Sequence, residues 1–346
     1  MCSTMTNRLL LPKILFIFLL LTAIYRATAA TTLHWKLSSE VGTYQTETIR
    51  LENTGNLLAR LDGSVQIRYK TLNRLAFLRL RFKPELYSFT ESMSSVKMLA
   101  SGRFERDFRR WRWSAGGEVR QYTYHNLPAD LTLKMYSAFV NLNRQLFPGN
   151  LFLMHFSYYR REFANRSNNR LNAPVIRVQL IHRFSKYLRG SAGVYLLWFS
   201  IEDQQLQENR GTSDGVQRGP TVSLEYRRKI LLNLDYHLLW HVSEQTLSPS
   251  YTQRLSFLFG KMLSSKWSLF FLINFSDNRF SLKDHPNLNL LFYPLENENR
   301  AHLKLQYDLS TNRALYVKIG YLKDNLVGQN ISLSGWQAVA GFRFKK

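Results

Sequence analysis

The sequence predicts an all-β protein, a transmembrane antiparallel up-and-down β-barrel of about 16 strands (14 is the alternative count) preceded by a signal peptide. Three observations support it. Apolar and polar residues alternate along almost the whole chain, short and long connectors take turns between the alternating segments, and aromatic residues gather at both ends of those segments. An alternation of short and long connectors is not expected in a soluble β-sandwich or β-propeller.

The N-terminal segment has the pattern of a secretory signal peptide. Arg8 and Lys13 precede an apolar run from Ile14 to Ile24, and residues 27–29 (ATA) form a small-x-small cleavage pattern. The run is about half as long as a membrane-spanning helix requires. We therefore expect a signal peptide over 1–29, a barrel over 30–346, and an exported protein.

The composition excludes several other classes. The 346 residues include 47 Lys and Arg but 24 Asp and Glu, for a formal net charge of +23, and 45% are hydrophobic. The single cysteine, Cys2, lies in the predicted signal peptide, so the sequence predicts neither a disulfide scaffold nor a thiolate metal site. The charge indicates an anionic partner, and export argues against nucleic acid as that partner.

The alternation defines the strands in order. It is weak in the first segment and clear from Leu57 to Tyr69, where every second residue is apolar or glycine. No window of the mature chain has the period of an amphipathic helix. The predicted strands lie near 33–44, 57–70, 76–85, 96–105, 111–120, 131–142, 151–163, 175–185, 190–202, 220–227, 230–244, 252–263, 267–276, 300–309, 314–323 and 331–344.

Connector length alternates along the chain. The short connectors are 71–74, 108–110, 186–189, 228–229, 264–266 and 310–313, with 143–150 somewhat longer. The long ones are 45–56, 125–130, 164–174, 203–219, 245–251 and 277–299. Short turns at one end and long loops at the other are typical of outer-membrane barrels, and an even strand count puts both termini at the short-turn end.

Aromatic residues are predicted to form two belts at the membrane interfaces. Near the short-turn ends are Trp35, Tyr69, Phe104, Trp111, Trp113, Phe184, Tyr226, Trp267, Tyr307, Tyr316 and Phe342; near the long-loop ends are Tyr44, Tyr122, Tyr158, Trp198, Trp240, Phe275 and Trp336. The strand middles are aliphatic or glycine, which is the order expected across a bilayer.

The C-terminal strand alternates from Trp336 to Phe342 and Phe344, ahead of Lys345 and Lys346. It resembles the C-terminal signature of bacterial outer-membrane β-barrel proteins, which usually stops at the final Phe. The resemblance is one of architecture and indicates no specific porin family. It implies an outer-membrane location, contact with outer-membrane lipid and lipopolysaccharide, and recognition of this strand by the barrel-assembly machinery.

Charged side chains are expected inside the barrel, because Arg or Lys at the lipid midplane costs roughly 2–4 kcal/mol. Parity gives a basic wall on neighbouring strands made of Arg68, Arg79, Arg81, Arg103, Arg112 and Arg120, and it also places Lys134 inward. The wall predicts a porin-like passive channel for small hydrophilic solutes that favours anions. In the alternative, these arginines pair with Glu85, Glu105 and Glu118 and only brace the barrel, while surplus cations at the rims bind lipopolysaccharide.

Two other functions remain open. A structural or binding barrel without conductance would be plugged by loops 203–219 or 277–299. An outer-membrane hydrolase would use Asp235 and His237 with Ser223 or Ser256, but no hydrolase motif supports it. We predict no enzyme activity, no catalytic residues, no metal and no cofactor.

Overall fold

The chain folds into one closed antiparallel barrel of sixteen strands in sequence order, with the first strand paired to the last. The computed structural model describes residues 31–46, 56–88, 93–125, 131–163, 170–202, 213–243, 251–279, 299–324 and 333–346. The strands are β1 (Thr31–Thr46), β2 (Asn56–Lys70), β3 (Arg74–Ser88), β4 (Met93–Phe108), β5 (Trp111–His125), β6 (Leu131–Phe147), β7 (Asn150–Phe163), β8 (Arg170–Arg183), β9 (Leu188–Glu202), β10 (Ser213–Arg227), β11 (Ile230–Ser243), β12 (Tyr251–Met262), β13 (Trp267–Arg279), β14 (Asn299–Asp308), β15 (Arg313–Asp324) and β16 (Leu333–Lys345). In the described part of the chain, no helix has the length and apolar character needed to cross a membrane.

The predicted fold class and strand count are confirmed. The strands contain between 10 and 17 residues, whereas a tilted strand needs about 9–11 to cross a bilayer, so most strands extend beyond the hydrocarbon. β10 is longer than predicted, because residues 213–219 of the expected loop belong to it. The rest of that loop, most of 277–299 and the predicted signal peptide lie outside the described residues.

Seven short turns join the strands at one end of the barrel. The connector predicted over 143–150 is reduced to Pro148 and Gly149, where Gly149 has φ 83°, a left-handed conformation that glycine adopts without a Cβ clash. Arg109 adopts a similar conformation, φ 54°, in the two-residue turn between β4 and β5. The predicted short-turn end is therefore confirmed, and both β1 and β16 have their outer termini there.

The two faces of the wall separate by chemistry. Large apolar side chains are exposed on the outside of every part of the circumference, for example Leu33, Val194, Val222 and Ile319. Opposite parity puts charged side chains inside, where Arg60 on β2 contacts Glu40 on β1 and Glu85 on β3. An apolar outside is the arrangement that a bilayer requires.

The turn-end aromatic belt is present on the outer face. Its rings form neighbouring pairs: Trp35 stacks on Phe344 with centroids 4.6 Å apart, Phe104 lies 5.3 Å from Trp113, and Trp267 lies 4.9 Å from Tyr307. At the long-loop end the exposed aromatic residues are Tyr158, Trp198, Trp240, Phe275 and Trp336.

For three residues, the predicted place in the aromatic belts is wrong. Tyr44, Tyr122 and Tyr316 are buried and share the parity of inward side chains; the Tyr316 hydroxyl donates to Glu40. Position near a strand end indicates the height of a residue, but only its register decides which face it occupies.

Candidate functional site: the inner wall of the barrel

The inner wall is strongly basic in the part of the chain that the structure describes. Strand pairing puts successive inward residues side by side, so their charges form a continuous surface. The inward cations are Lys36, Arg60, Arg68, Lys70, Arg79, Arg81, Lys83, Lys97, Arg103, Arg112, Arg120, Arg161, Arg177, Arg183, Arg189, Arg227, Arg254, Arg300, Lys304, Lys318, Arg343 and Lys345, and the inward acids are Glu40, Asp62, Glu85, Glu105, Asp107, Glu118, Glu225, Asp235 and Asp308. Cations therefore outnumber acids by more than two to one.

Glu85 is the most enclosed of these acids. Its carboxylate receives Arg60 Nε and Lys83 Nζ at 2.6 Å each and Lys97 Nζ at 3.2 Å, and its side chain is 2% exposed. The Ser95 hydroxyl donates to it at 3.1 Å. Three cations surround one carboxylate, so the single negative charge of Glu85 stabilises all three of them.

A second carboxylate extends this cluster across the closure of the barrel. Glu40 on β1 accepts from Arg60 Nη1 at 2.8 Å and from Lys318 Nζ on β15 at 2.9 Å. The Tyr316 hydroxyl donates to it at 2.9 Å. We define the seam cluster as Glu40, Arg60, Lys83, Glu85, Lys97 and Lys318. Its ion pairs connect β15 to β4 across the junction where β1 pairs with β16.

Four arginines of the predicted basic wall have carboxylate partners. Arg81 binds Asp62 through two hydrogen bonds of 2.8 and 2.7 Å, and Arg103 Nε lies 2.8 Å from Glu105. Near the turn end, Arg112 pairs with Asp107 through hydrogen bonds of 2.5 and 3.1 Å. Arg120 pairs with Glu118 of its own strand.

The other two wall arginines face the lumen without such a partner. Among the described residues no carboxylate lies within ion-pair distance of Arg68 or Arg79; their cross-strand neighbours include Phe77 for Arg68 and Gln66 and Ser101 for Arg79. Lys36 and Lys304 also lack a carboxylate partner, since no ion pair forms to either of them within the described ranges. The wall is therefore part bracing and part uncompensated positive charge.

One inward placement from parity was wrong. Lys134 pairs with Gln121 on the outer parity of β5 and β6, beside the exposed Tyr136, and lies toward the long-loop end rather than inside. The roles of Glu40, Asp62 and Lys318 could not be predicted from the sequence pattern. Alternation places all three inward, but their pairing depends on which strands are neighbours and in what register.

The long-loop end of the lumen includes a set of buried leucines. The inward side chains of Leu58, Leu133, Leu171, Leu197 and Leu239 are fully buried there. We call them the leucine ring. The expected polar interior therefore holds for the middle and turn-end parts of the wall, whereas at this level the leucines lie beside buried polar side chains, namely Arg161, Gln217 and Thr252.

The hydrolase candidates do not assemble into a triad. Ser223 Oγ lies 2.6 Å from Ser191 Oγ, and Ser256 Oγ is hydrogen-bonded to the side-chain amide of Asn274 at 2.9 Å. Asp235 accepts from Asn233, while His237 packs edge-on against Tyr195. Within the described residues, no group of three or more His, Cys, Asp or Glu is arranged to hold a metal ion.

The predicted C-terminal signal residues share the outer face of β16. Trp336 and Phe342 are exposed, and Phe344 stacks on Trp35 across the seam. The chain continues pairing to its last residue, because Trp35 and Lys346 exchange two backbone hydrogen bonds of 3.0 and 2.9 Å. Recognition of this strand by assembly machinery stays a prediction.

Comparison with known proteins gives structural likeness only. No protein-family model and no curated protein matches the chain. CdiB from Acinetobacter baumannii superposes with a TM-score of 0.52 at 10% identity, over 91% of this chain and 60% of that one. Acinetobacter baumannii OccAB4 (TM-score 0.48, 7% identity, 92% and 99% covered) and Pseudomonas putida OprB (0.45, 8%, 92% and 94%) also match.

The chain spans about 60% of the length of the CdiB structure, so the likeness concerns the barrel. Together with the closed sixteen-strand sheet and its apolar outside, it confirms the predicted resemblance to bacterial outer-membrane β-barrel proteins and, at the level of the fold, the predicted outer-membrane location. The protein has the fold of a bacterial outer-membrane β-barrel.

Proposed function

We propose that the protein is a passive outer-membrane channel for small hydrophilic solutes and that it favours anions. The observation that carries the proposal is the inner wall, where cations exceed acids and Arg68 and Arg79 lack a carboxylate partner among the described residues. Sixteen strands enclose enough space for an aqueous path. A lumen lined by one sign of charge concentrates counter-ions of the other sign.

The paired arginines contribute less to selectivity. Arg81 is held by Asp62 and Arg103 by Glu105, so these pairs are nearly neutral at the distance of a passing ion. Arg68 and Arg79 lie on the adjacent strands β2 and β3 with an uncompensated charge each. We therefore propose that these two arginines, with the similarly unpaired Lys36 and Lys304, contribute most to the preference and that the bound pairs maintain the shape of the wall.

Planar-bilayer recordings across a KCl gradient test this proposal. We expect chloride to permeate about threefold better than potassium near 0.1 M salt, where the Debye length is about 10 Å, with a smaller preference near 1 M. The double variant R68E/R79E should lower the preference without abolishing it, because other inward cations such as Lys36 and Lys304 remain. Its matched control is R74E/R106E, the same change on outward arginines of β3 and β4.

The opposite results would contradict the proposal. A potassium preference in the native protein, or an equal loss of anion preference in R74E/R106E, would show that the inner arginines do not select.

A binding barrel without conductance is the second candidate, and the leucine ring favours it. Buried inward leucines at the long-loop end narrow the aqueous path or close it. The same recordings discriminate: discrete conductance steps in the native protein support the channel, and their complete absence supports the binding barrel. The absence of enzyme activity also remains a prediction.

A further inference from the structure

The turn end of the barrel carries a concentration of positive charge that the channel does not require. We define the turn rim as residues 69–75, 106–113, 144–151, 182–189, 226–231, 261–268, 308–314 and 343–346. It holds 19 of the 47 Lys and Arg residues but only two of the 24 Asp and Glu residues, Asp107 and Asp308.

The connecting segments of the opposite end have an excess of acidic residues in their sequence. The segments that connect strands there, 47–55, 89–92, 126–130, 164–169, 203–212, 244–250, 280–298 and 325–332, contain four Lys or Arg and ten Asp or Glu. Two described outward arginines near that end are paired: Arg160 with Glu162 at 2.8 Å and Arg170 with Glu202 at 3.7 Å. The basic surplus expected at a lipopolysaccharide-facing rim therefore lies at the other end of the molecule.

Both acids of the turn rim face the lumen, whereas part of its positive charge faces lipid. Asp107 pairs with inward Arg112, and Asp308 lies 4.0 Å from inward Arg343. The outward cations of the strand ends are Arg74, Arg106, Arg144, Lys261 and Arg313, all exposed. Within the described residues none of these five has a carboxylate partner.

Aromatic rings contact two of these cations, and a third lies in register with a tryptophan. The Arg144 guanidinium lies 5.0 Å from the Trp111 ring and that of Arg313 lies 5.7 Å from the Phe344 ring. Arg106 is paired in register with Arg74 on one side and Trp113 on the other. Aromatic belts mark the headgroup level of a bilayer, so these charges lie where lipid phosphates are.

We propose that the outer face of the turn rim binds the headgroups of anionic phospholipids in the periplasmic leaflet. Arg74 on β3 and Arg106 on β4 are cross-strand neighbours, and Arg144 lies on β6 beyond the tryptophans of β5. Outer-membrane barrels have their short turns on the periplasmic side, which identifies the leaflet. Charge complementarity and continuity with the lipid-facing belt support a lipid occupant, and the proposal does not depend on whether the barrel conducts.

Spin-labelled lipids test the proposed binding of anionic phospholipids directly in the purified, refolded full barrel. The fraction of motionally restricted label gives the relative association of phosphatidylglycerol and phosphatidylcholine. A Lys or Arg near an anionic surface contributes enough for about a fivefold preference, so we expect the native barrel to prefer phosphatidylglycerol by about that factor. The triple variant R74Q/R106Q/R144Q should associate with both lipids nearly equally.

Two further variants make the result specific. K134Q/R160Q/R218Q removes three outward cations near the long-loop end and should keep the native preference. R74K/R106K/R144K keeps the positive charges and should also keep the native lipid preference. This variant separates an effect of charge from damage to the fold. Heat-dependent gel migration checks that each variant is folded. Equal association of both lipids with the native barrel, or the same loss in K134Q/R160Q/R218Q, would overturn the proposal.

Discussion

At the scale of single residues, the partner of each inward charge decides its role. Glu85 is enclosed by Arg60, Lys83 and Lys97, whereas Asp107 and Arg112 form a half-exposed pair near the turns. A buried carboxylate that neutralises several cations cannot be removed without leaving uncompensated charge in a site of low dielectric. A half-exposed pair loses little, because water replaces the missing partner.

Glu85→Gln is therefore expected to destabilise the barrel by about 3–5 kcal/mol, because it leaves neighbouring buried cations without their shared carboxylate. Urea unfolding of the protein folded in lipid vesicles measures the free energy of unfolding. The control is Asp107→Asn, which should change it by less than about 1 kcal/mol. Similar values for the two variants would mean that the seam cluster does not hold the wall together.

At the scale of strands, closure depends on how closely β1 approaches β16. A Cβ added at Gly42 would lie 2.0 Å from the Ala338 carbonyl oxygen and 2.6 Å from Val339 Cα, both backbone atoms. The two strands would have to move apart at the seam. Gly63 on β2 is different, since a Cβ there would meet only Leu37 Cδ1 at 3.7 Å and the Phe82 carbonyl at 3.9 Å.

Gly42→Ala is expected to lower the free energy of unfolding by about 1–3 kcal/mol, the usual range for forced overpacking. The same urea titration measures it. Gly63→Ala adds the same methyl group to the neighbouring strand and should stay within about 0.5 kcal/mol of the native protein. If Gly42→Ala proves equally harmless, β1 and β16 do not approach each other at Gly42 closely enough to exclude a methyl group.

Alternation and connector length determine much of what could be predicted at this scale. They are local properties of a strand and its ends, so the sixteen strands, the turn end and the inward side of all six wall arginines follow from them. The carboxylate partners of Arg60 do not, because Glu40 and Glu85 belong to different strands and reach it only through register. Tyr316 shows the same limit: its height is local information, but its face and its bond to Glu40 are not.

At the scale of the whole molecule, three chemical surfaces coexist. The outside is apolar between two aromatic belts, the middle and turn-end parts of the inside are basic, and the turn rim is basic on both its lumen and lipid sides. The first surface suits acyl chains, and we propose that the second faces water with dissolved anions and the third faces anionic headgroups. The leucine ring is the exception, and the conductance recordings decide how far it closes the path.

Single-cysteine scanning of β2 tests the central claim, that lipid surrounds this wall and water fills the charged side, most directly. Cysteines at Leu61 and Val65 should be quenched by lipid-borne spin labels and resist a water-soluble thiol reagent, while cysteines at Ser64 and Gln66 should show the reverse. That alternation in vesicles is the predicted result. Reagent access at Leu61 and Val65 combined with lipid quenching at Ser64 and Gln66, or no alternation at all, would contradict the account.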